Sequence, residues 1–257
     1  MSEVSPAARF YDQLAADYHL VYADWDASMA RQGEALDAVI RTELGLGRAT
    51  VLDCSCGIGT QAIALGLRGH RVTGTDISVS AVTRAVREAA LRGVSLAAAA
   101  ADMRHLPLAD EQFDVVISAD NSLPHLLSAQ DVRTALSEMR RVLRSQGLLV
   151  LSTRPYDEIL QARPTSTPPQ LATSPRGKTI TFQLWDWHDD GEHYDLEHFQ
   201  LTADGPDWSV QVRQATYWAL TRRQLTDFAL EAGFAELEWR TSESSGFFQP
   251  ILTARGS

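Results

Sequence analysis

With 257 residues, 44% of them hydrophobic and 22% charged, the chain can bury the core of one α/β sheet with an insertion, which excludes a tail-like disordered protein. A formal charge of −10 argues against a nucleic-acid partner, because that affinity comes from clustered Lys and Arg and the arginines here are scattered. Cys54 and Cys56 stand too close together for an ordinary disulfide or a CxxC pair. No apolar stretch reaches membrane-spanning length and the first residues lack a signal-peptide pattern, so the expectation is a cytoplasmic protein without a membrane partner.

Residues 7–22 and 26–44 repeat apolar side chains at intervals of three and four, as in Leu36, Val39, Ile40 and Leu44, which predicts two leading helices. From residue 50 the pattern alternates: strand 50–53, helix 60–68, strand 71–76, helix 78–92 with Ser78 as N-cap, and strand 95–100. Strand 113–119, helix 131–143 and strand 147–153 continue it. Five strands alternating with helices, the last three apolar throughout, predict a parallel sheet covered on both faces.

After Arg154 the composition turns to Pro, Ser and Thr, and residues 162–176, with Pro164, Pro168, Pro169 and Pro175, read as a loop. Segments 179–188, 193–201 and 209–219 alternate in character around two Gly-containing turns and predict an antiparallel meander. A helix over 221–232, stopped by Gly233, and strands near 235–240 and 247–253 close the chain. The expected fold is α/β: a Rossmann-like, mostly parallel seven-stranded sheet with N-terminal helices and an antiparallel β insertion. It forms one domain over 1–257, divided into a helical lid (1–45), a cofactor-binding core (46–154), a cap (155–220) and closing elements (221–257).

The first strand runs into Asp53-Cys54-Ser55-Cys56-Gly57-Ile58-Gly59, where two glycines let the backbone turn tightly and approach a ligand. The second ends in Asp76-Ile77, whose carboxylate can accept both hydroxyls of a ribose laid across the sheet edge. A third glycine, expected for a pyrophosphate site, is missing, and the charge of Asp53 before the turn favours a cationic ligand. The third strand ends in Ala101-Asp102-Met103, a carboxylate for an adenine amino group beside an apolar side chain for its ring. The competing reading of each is ordinary: a plain turn at Gly57 and Gly59, helix caps at Asp76 and Asp102.

Together these positions resemble the class I S-adenosylmethionine-dependent methyltransferases. The segments Asn121-Ser122-Leu123-Pro124-His125-Leu126 and Thr153-Arg154-Pro155-Tyr156-Asp157 are similar to those of the glycine and sarcosine N-methyltransferase family. The resemblance implies S-adenosyl-L-methionine as cofactor, S-adenosyl-L-homocysteine as product, and a small-molecule acceptor whose carboxylate is held by Asn121 and Arg154. It further implies that Arg31 grips the methionine carboxylate and that Cys54, Ser55, Gly57, Ile77, Met103 and Ala119 line the site, with aromatic cover from Phe10, Tyr11, Tyr22 and Trp25 over the sulfonium. Two departures stand out: Asp120 where that family has Gly, and Ser152-Thr153 in place of an acidic-histidine pair.

Arg154 pairing with Asp157 or Glu158, Asn121 as a turn former and the leading aromatics as plain packing are the competing readings. Tyr217 is a candidate for orienting an acceptor nitrogen, and His125 reads as a scaffold residue. His188, His193 and His198 suit a solvated hairpin better than a metal, so no metal is expected. Trp185, Trp187, Trp208 and Trp218 build the core of the meander, or Trp185, Trp187, Tyr217 or Trp218 lines a cavity for a bulkier or aromatic acceptor, whose methylation would be at oxygen or carbon. A non-catalytic binding module is a further alternative, and self-association is left open.

Overall fold

The computed structural model describes residues 5–45, 47–174 and 177–256. Helix α1 (Pro6–Leu14) starts at Ser5, whose hydroxyl accepts from the Ala8 N–H, and α2 (Trp25–Leu44) starts at Asp24 and stops at Gly45 in the left-handed region. The helix expected over 7–22 is therefore shorter, followed by a single 3-10 turn at Tyr18–Val21. Arg84 explains the break, since its guanidinium takes the carbonyls of Ala15 and Ala16 at 2.6 and 2.9 Å.

The core follows in order as β1 (Thr50–Asp53), α3 (Thr60–Leu67), β2 (Arg71–Asp76), α4 (Val79–Leu91), β3 (Ala97–Ala100), β4 (Phe113–Ser118), α5 (Ala129–Val142) and β5 (Leu143–Ser152). The pairings β3–β2, β2–β1, β1–β4 and β4–β5 are all parallel. Val51, Leu52, Val115, Val116, Ile117 and Leu149 are fully buried, as strands with helices on both faces require. Strand β3 departs from that expectation: it is four alanines at the sheet edge and mostly exposed.

The insertion begins with α6 (Tyr156–Ala162) and continues as β6 (Gln170–Ser174), β7 (Gly177–Trp187), β8 (His193–Asp204) and β9 (Asp207–Trp218). These four strands form an antiparallel sheet in chain order. The loop expected over 162–176 thus holds a strand, while Pro175 and Arg176 lie outside the described residues. Strand β6 escapes the hydrophobic pattern because it is an edge strand held by its ladder to β7, with Leu171 open to solvent.

The inner face of this sheet, with Trp185, Tyr194, Leu196, Ala215 and Tyr217, packs on Phe10 and Leu14 of α1 and on Tyr156 of α6. Its outer face exposes Leu171, Leu184, Trp208, Val210 and Val212. The chain then adds α7 (Arg222–Glu231), begun by a capping box between Thr221 and Gln224, then β10 (Phe234–Arg240), a single turn α8 (Ser242–Ser245) and β11 (Ile251–Gly256). The main sheet is ordered β3-β2-β1-β4-β5-β11-β10, with β11 antiparallel to both neighbours. Among the described residues no helix is long and apolar enough to cross a membrane.

Candidate active site

The carboxyl ends of β1 to β4 open into one cavity roofed by α1 and the 3-10 turn. Gly57 and Gly59 hold φ of 50° and 94°, and a side chain at Gly59 would meet Ile63 Cδ1 at 2.8 Å. The turn aims the Gly57 N–H at Asp76 Oδ2, 2.8 Å away, while the Ser78 N–H donates to Oδ1 at 2.9 Å. Burial raises the Asp76 carboxyl above the usual carboxylate range and these two donors oppose it. Each oxygen keeps a second lone pair for a ligand hydroxyl.

Of the thirteen positions expected to hold the cofactor, Tyr11, Tyr22, Cys54, Ser55, Gly57, Asp76, Ile77, Asp102, Met103 and Ala119 line this cavity. Asp53 does not: it is 1% exposed beneath the turn, and burial pushes its carboxyl up to about 7. The sequence argument that a full charge there faces the ligand is corrected accordingly, because desolvation holds part of that carboxyl neutral at pH 7. Its Oδ2 has no hydrogen-bond partner among the described residues. Asp102 lines the cavity already ion-paired, with Arg104 at 2.6 Å, and Arg104 reaches on to Asp131 at 2.8 Å. An adenine amino group would share that carboxylate with a guanidinium, which the sequence did not suggest.

Trp25 and Arg31 stand outside the cavity lining. The Trp25 indole N–H donates to Thr60 Oγ1 at 2.9 Å, and the guanidiniums of Arg84 and Arg92 lie over its ring, so it is packed in the core and away from the cavity lining. Arg31 is exposed on α2, while its neighbour Gln32 occupies the buried face and accepts from Gln61 Nε2 at 2.8 Å. The aromatic cover comes instead from the 3-10 turn. Tyr18 joins Tyr11 and Tyr22 there, its ring 5.8 and 6.4 Å from theirs. Its place in the aromatic repeat ahead of β1 was the available signal.

Asn121, Arg154 and Tyr217 converge beside the cavity. Asn121 is 3% exposed: its Oδ1 accepts from the Arg154 N–H at 3.0 Å and its Nδ2 donates to the Tyr156 hydroxyl at 3.0 Å. The Arg154 guanidinium donates to the Tyr194 hydroxyl at 2.8 Å and to Gln183 Oε1 at 3.2 Å, and lies 4.8 Å from the Trp185 ring and 5.3 Å from Tyr217. Its pairing with Asp157 or Glu158 does not occur; those two acids face Arg222. Tyr156, Tyr194 and Gln183 are functional neighbours that sequence reasoning missed, the last two carried by strands with no local motif.

His125 accepts or donates at the Tyr11 hydroxyl, 2.8 Å away, and lies 4.1 Å from the Tyr217 ring. Burial, then the charge of Arg154, pushes it down to about 3, so it is neutral at working pH. His188 and His193 are tied to Asp195 and Asp190, and His198 is buried beside Arg213. Trp218 bonds to Glu192, Trp208 lies exposed on the outer face, Trp187 bonds to the Pro164 carbonyl, and none of these three lines the cavity.

Residues 51–147 match the family model described as a methyltransferase domain. Over that stretch the chain is similar to methyltransferase domains. A glycine/sarcosine N-methyltransferase of Parasynechococcus marenigrum (strain WH8102) is 37% identical over 139 residues, covering 54% of this chain and 48% of that protein. One from Aphanothece halophytica is 35% identical over 138 residues, 53% and 51% of the two chains. The chain spans about half the length of the curated relatives it matches. Over the whole length the fold is shared with Streptomyces venezuelae DesVI (16% identical, TM-score 0.75, covering 99% of this chain and 100% of that one). It is also shared with SAM-bound CalS10, an amino pentose methyltransferase from Micromonospora echinaspora involved in calicheamicin biosynthesis (20%, TM-score 0.72, covering 94% and 95%).

The residues of the methyltransferase domain fit S-adenosylmethionine. Asp76 offers two half-satisfied oxygens to a ribose, the turn at Gly57 lines the cavity beside it, and the orphaned Asp53 Oδ2 buried beneath that turn suits a bridging water.

Proposed function

We propose that the whole chain transfers a methyl group from S-adenosylmethionine to the amine of an amino acid or a related small carboxylate. The observation that carries this reading is the walled-in guanidinium of Arg154. It is held by a phenol and an amide, between two aromatic rings, and forms no ion pair among the described residues. A desolvated cation without a counter-charge is costly, and a carboxylate accepting its planar donor fork relieves that cost. The bound cofactor supplies a methyl group that is already electrophilic; the protein's task is to align an acceptor lone pair with it and exclude water. Asn121 fixes the backbone of Arg154, and Tyr217 stands where it can orient the acceptor nitrogen.

Turnover of an amino-acid panel, followed by mass spectrometry for the gain of one methyl group, tests this. Wild type methylates at least one carboxylate-bearing amine, and Arg154→Met raises the KM for it. An unchanged KM removes the anchor. A second reading, O- or C-methylation of a bulkier ring, is supported by the wall of Tyr11, Tyr18 and Tyr22, and its signature is acceptor binding independent of Arg154. Binding of the cofactor without turnover of any acceptor supports a non-catalytic module.

The net charge of −10 favours a small acceptor over a nucleic acid, and two free buried cysteines suit a reducing compartment such as the cytoplasm. The exposed apolar side chains Leu171, Leu184, Trp208, Val210 and Val212 on the outer face of the cap sheet support self-association with a second copy, which sedimentation of the purified protein tests.

A further inference from the structure

Asp120 is a carboxylate on the cavity wall that neither the cofactor nor the acceptor carboxylate accounts for. It ends β4 with φ of 58°, followed by Asn121 at 66°, two successive non-glycine residues in the left-handed region. A chain of neutral groups holds it there. The Asp120 N–H donates to Ser152 Oγ at 2.8 Å, Ser152 donates to Gln249 Oε1 at 3.0 Å, and Gln249 Nε2 returns to Asp120 Oδ1 at 3.4 Å. The Tyr22 hydroxyl donates to Oδ2 at 3.0 Å. Among the described residues no cation pairs with this carboxylate, yet it feels the charge of Arg154. Asp120 thus lines the cavity while its neighbour Asn121 holds the backbone of Arg154, an acid and a cation on adjoining walls that suit the two ends of a zwitterion.

We propose that Asp120 receives the acceptor's amine, binding it as an ammonium opposite the carboxylate on Arg154 and taking the proton that the nitrogen must lose before it attacks. This rests on the amine-acceptor reading above. The ammonium gives one proton to the Asp120 carboxylate and becomes a neutral amine. Its lone pair forms the C–N bond as the C–S bond of the methyl donor breaks, with that electron pair staying on sulfur. The methylated nitrogen carries the positive charge, and Asp120 returns its proton to solvent. Burial raises the Asp120 carboxyl to about 6, against the pull of Tyr22, Arg154 and Gln249. Facing it are Tyr11, Tyr18, Tyr22 and Tyr217, all raised by burial and neutral at working pH, as is His125. Asp76 lies farther along the floor, bound by backbone donors.

Calorimetry on the full chain saturated with S-adenosylhomocysteine tests this with matched pairs: glycine against glycolate, and phenylalanine against phenyllactate. Wild type favours the amino acid of at least one pair by tenfold or more, and Asp120→Asn abolishes that preference while leaving hydroxy-acid affinity intact. Asn tolerates the left-handed backbone, so the variant keeps the turn. The wild-type preference also falls as pH drops through about 6 and the carboxylate is neutralised. A preference retained in Asp120→Asn, or flat down to pH 5, overturns the role of Asp120 alone. If the variant instead loses affinity for S-adenosylmethionine but not S-adenosylhomocysteine, the carboxylate serves the sulfonium and the proposal falls. Wild type binding neither member of any pair overturns the amino-acid reading, and this proposal with it.

Discussion

The floor of the cavity and its cap-side wall are built by opposite means. On the floor, backbone N–H groups fix Asp76, that of Gly57 from the glycine turn and that of Ser78 from two residues along the chain. On the wall, side chains hold side chains: Arg154 leans on Tyr194 and Gln183, and Asn121 on Tyr156, each from a different element. A floor made of backbone survives most substitutions and keeps one ligand, whereas a wall made of side chains changes its ligand with a single replacement.

The comparison breaks first at Asp76. Asp76→Ala removes two acceptors for the ribose, each hydrogen bond to a charged group being worth about 1.5–3 kcal/mol, so cofactor affinity falls by about 100-fold or more in calorimetry with S-adenosylhomocysteine. A loss under about threefold means that the ribose lies elsewhere. On the wall, Arg154→Met raises the KM of a carboxylate acceptor by roughly 10- to 100-fold while cofactor affinity stays within about twofold. Because the cation has no ion-pair partner to strand, the melting temperature holds or rises, and a large fall in it identifies Arg154 as structural.

How much of this the sequence reveals follows the same division. Strands β1 and β2 end where their apolar runs meet Asp53 and Asp76, and Ser78 caps α4 as its position predicts, because each depends on residues within one turn of it. The wall escapes such reading. Gln183 and Tyr194 are neighbours of Arg154 through strand register, and Gln249 reaches Asp120 across 129 positions, so no local pattern marks them. Helix α6 and strand β6 were hidden by composition, one short and one an open edge.

A smaller effect separates the buried acids from the exposed ones. Asp53 is lifted to about 7 in the folded chain, so between about pH 4 and 7 the native state binds a proton that the unfolded chain has released. Its contribution to stability is complete below about pH 4 and is lost as pH rises through about 7, with a slope of at most about 1.4 kcal/mol per pH unit. Denaturant unfolding at pH 5 and pH 8 measures it, and Asp53→Asn flattens the difference. An unchanged slope in that variant assigns the dependence to another carboxyl.

The smallest expected effect is at Arg31, where the resemblance to glycine and sarcosine N-methyltransferases and the geometry part. If α2 keeps Gln32 bonded to Gln61 when the cofactor binds, Arg31 stays in solvent, and Arg31→Ala leaves S-adenosylmethionine affinity within about twofold. Should the affinity fall tenfold, α2 must rotate about its axis to bring the guanidinium in, breaking the Gln32–Gln61 bond. Gln61→Ala would then ease that rotation and tighten binding instead of weakening it. The pair of variants therefore decides whether the lid is already seated or whether cofactor binding turns it.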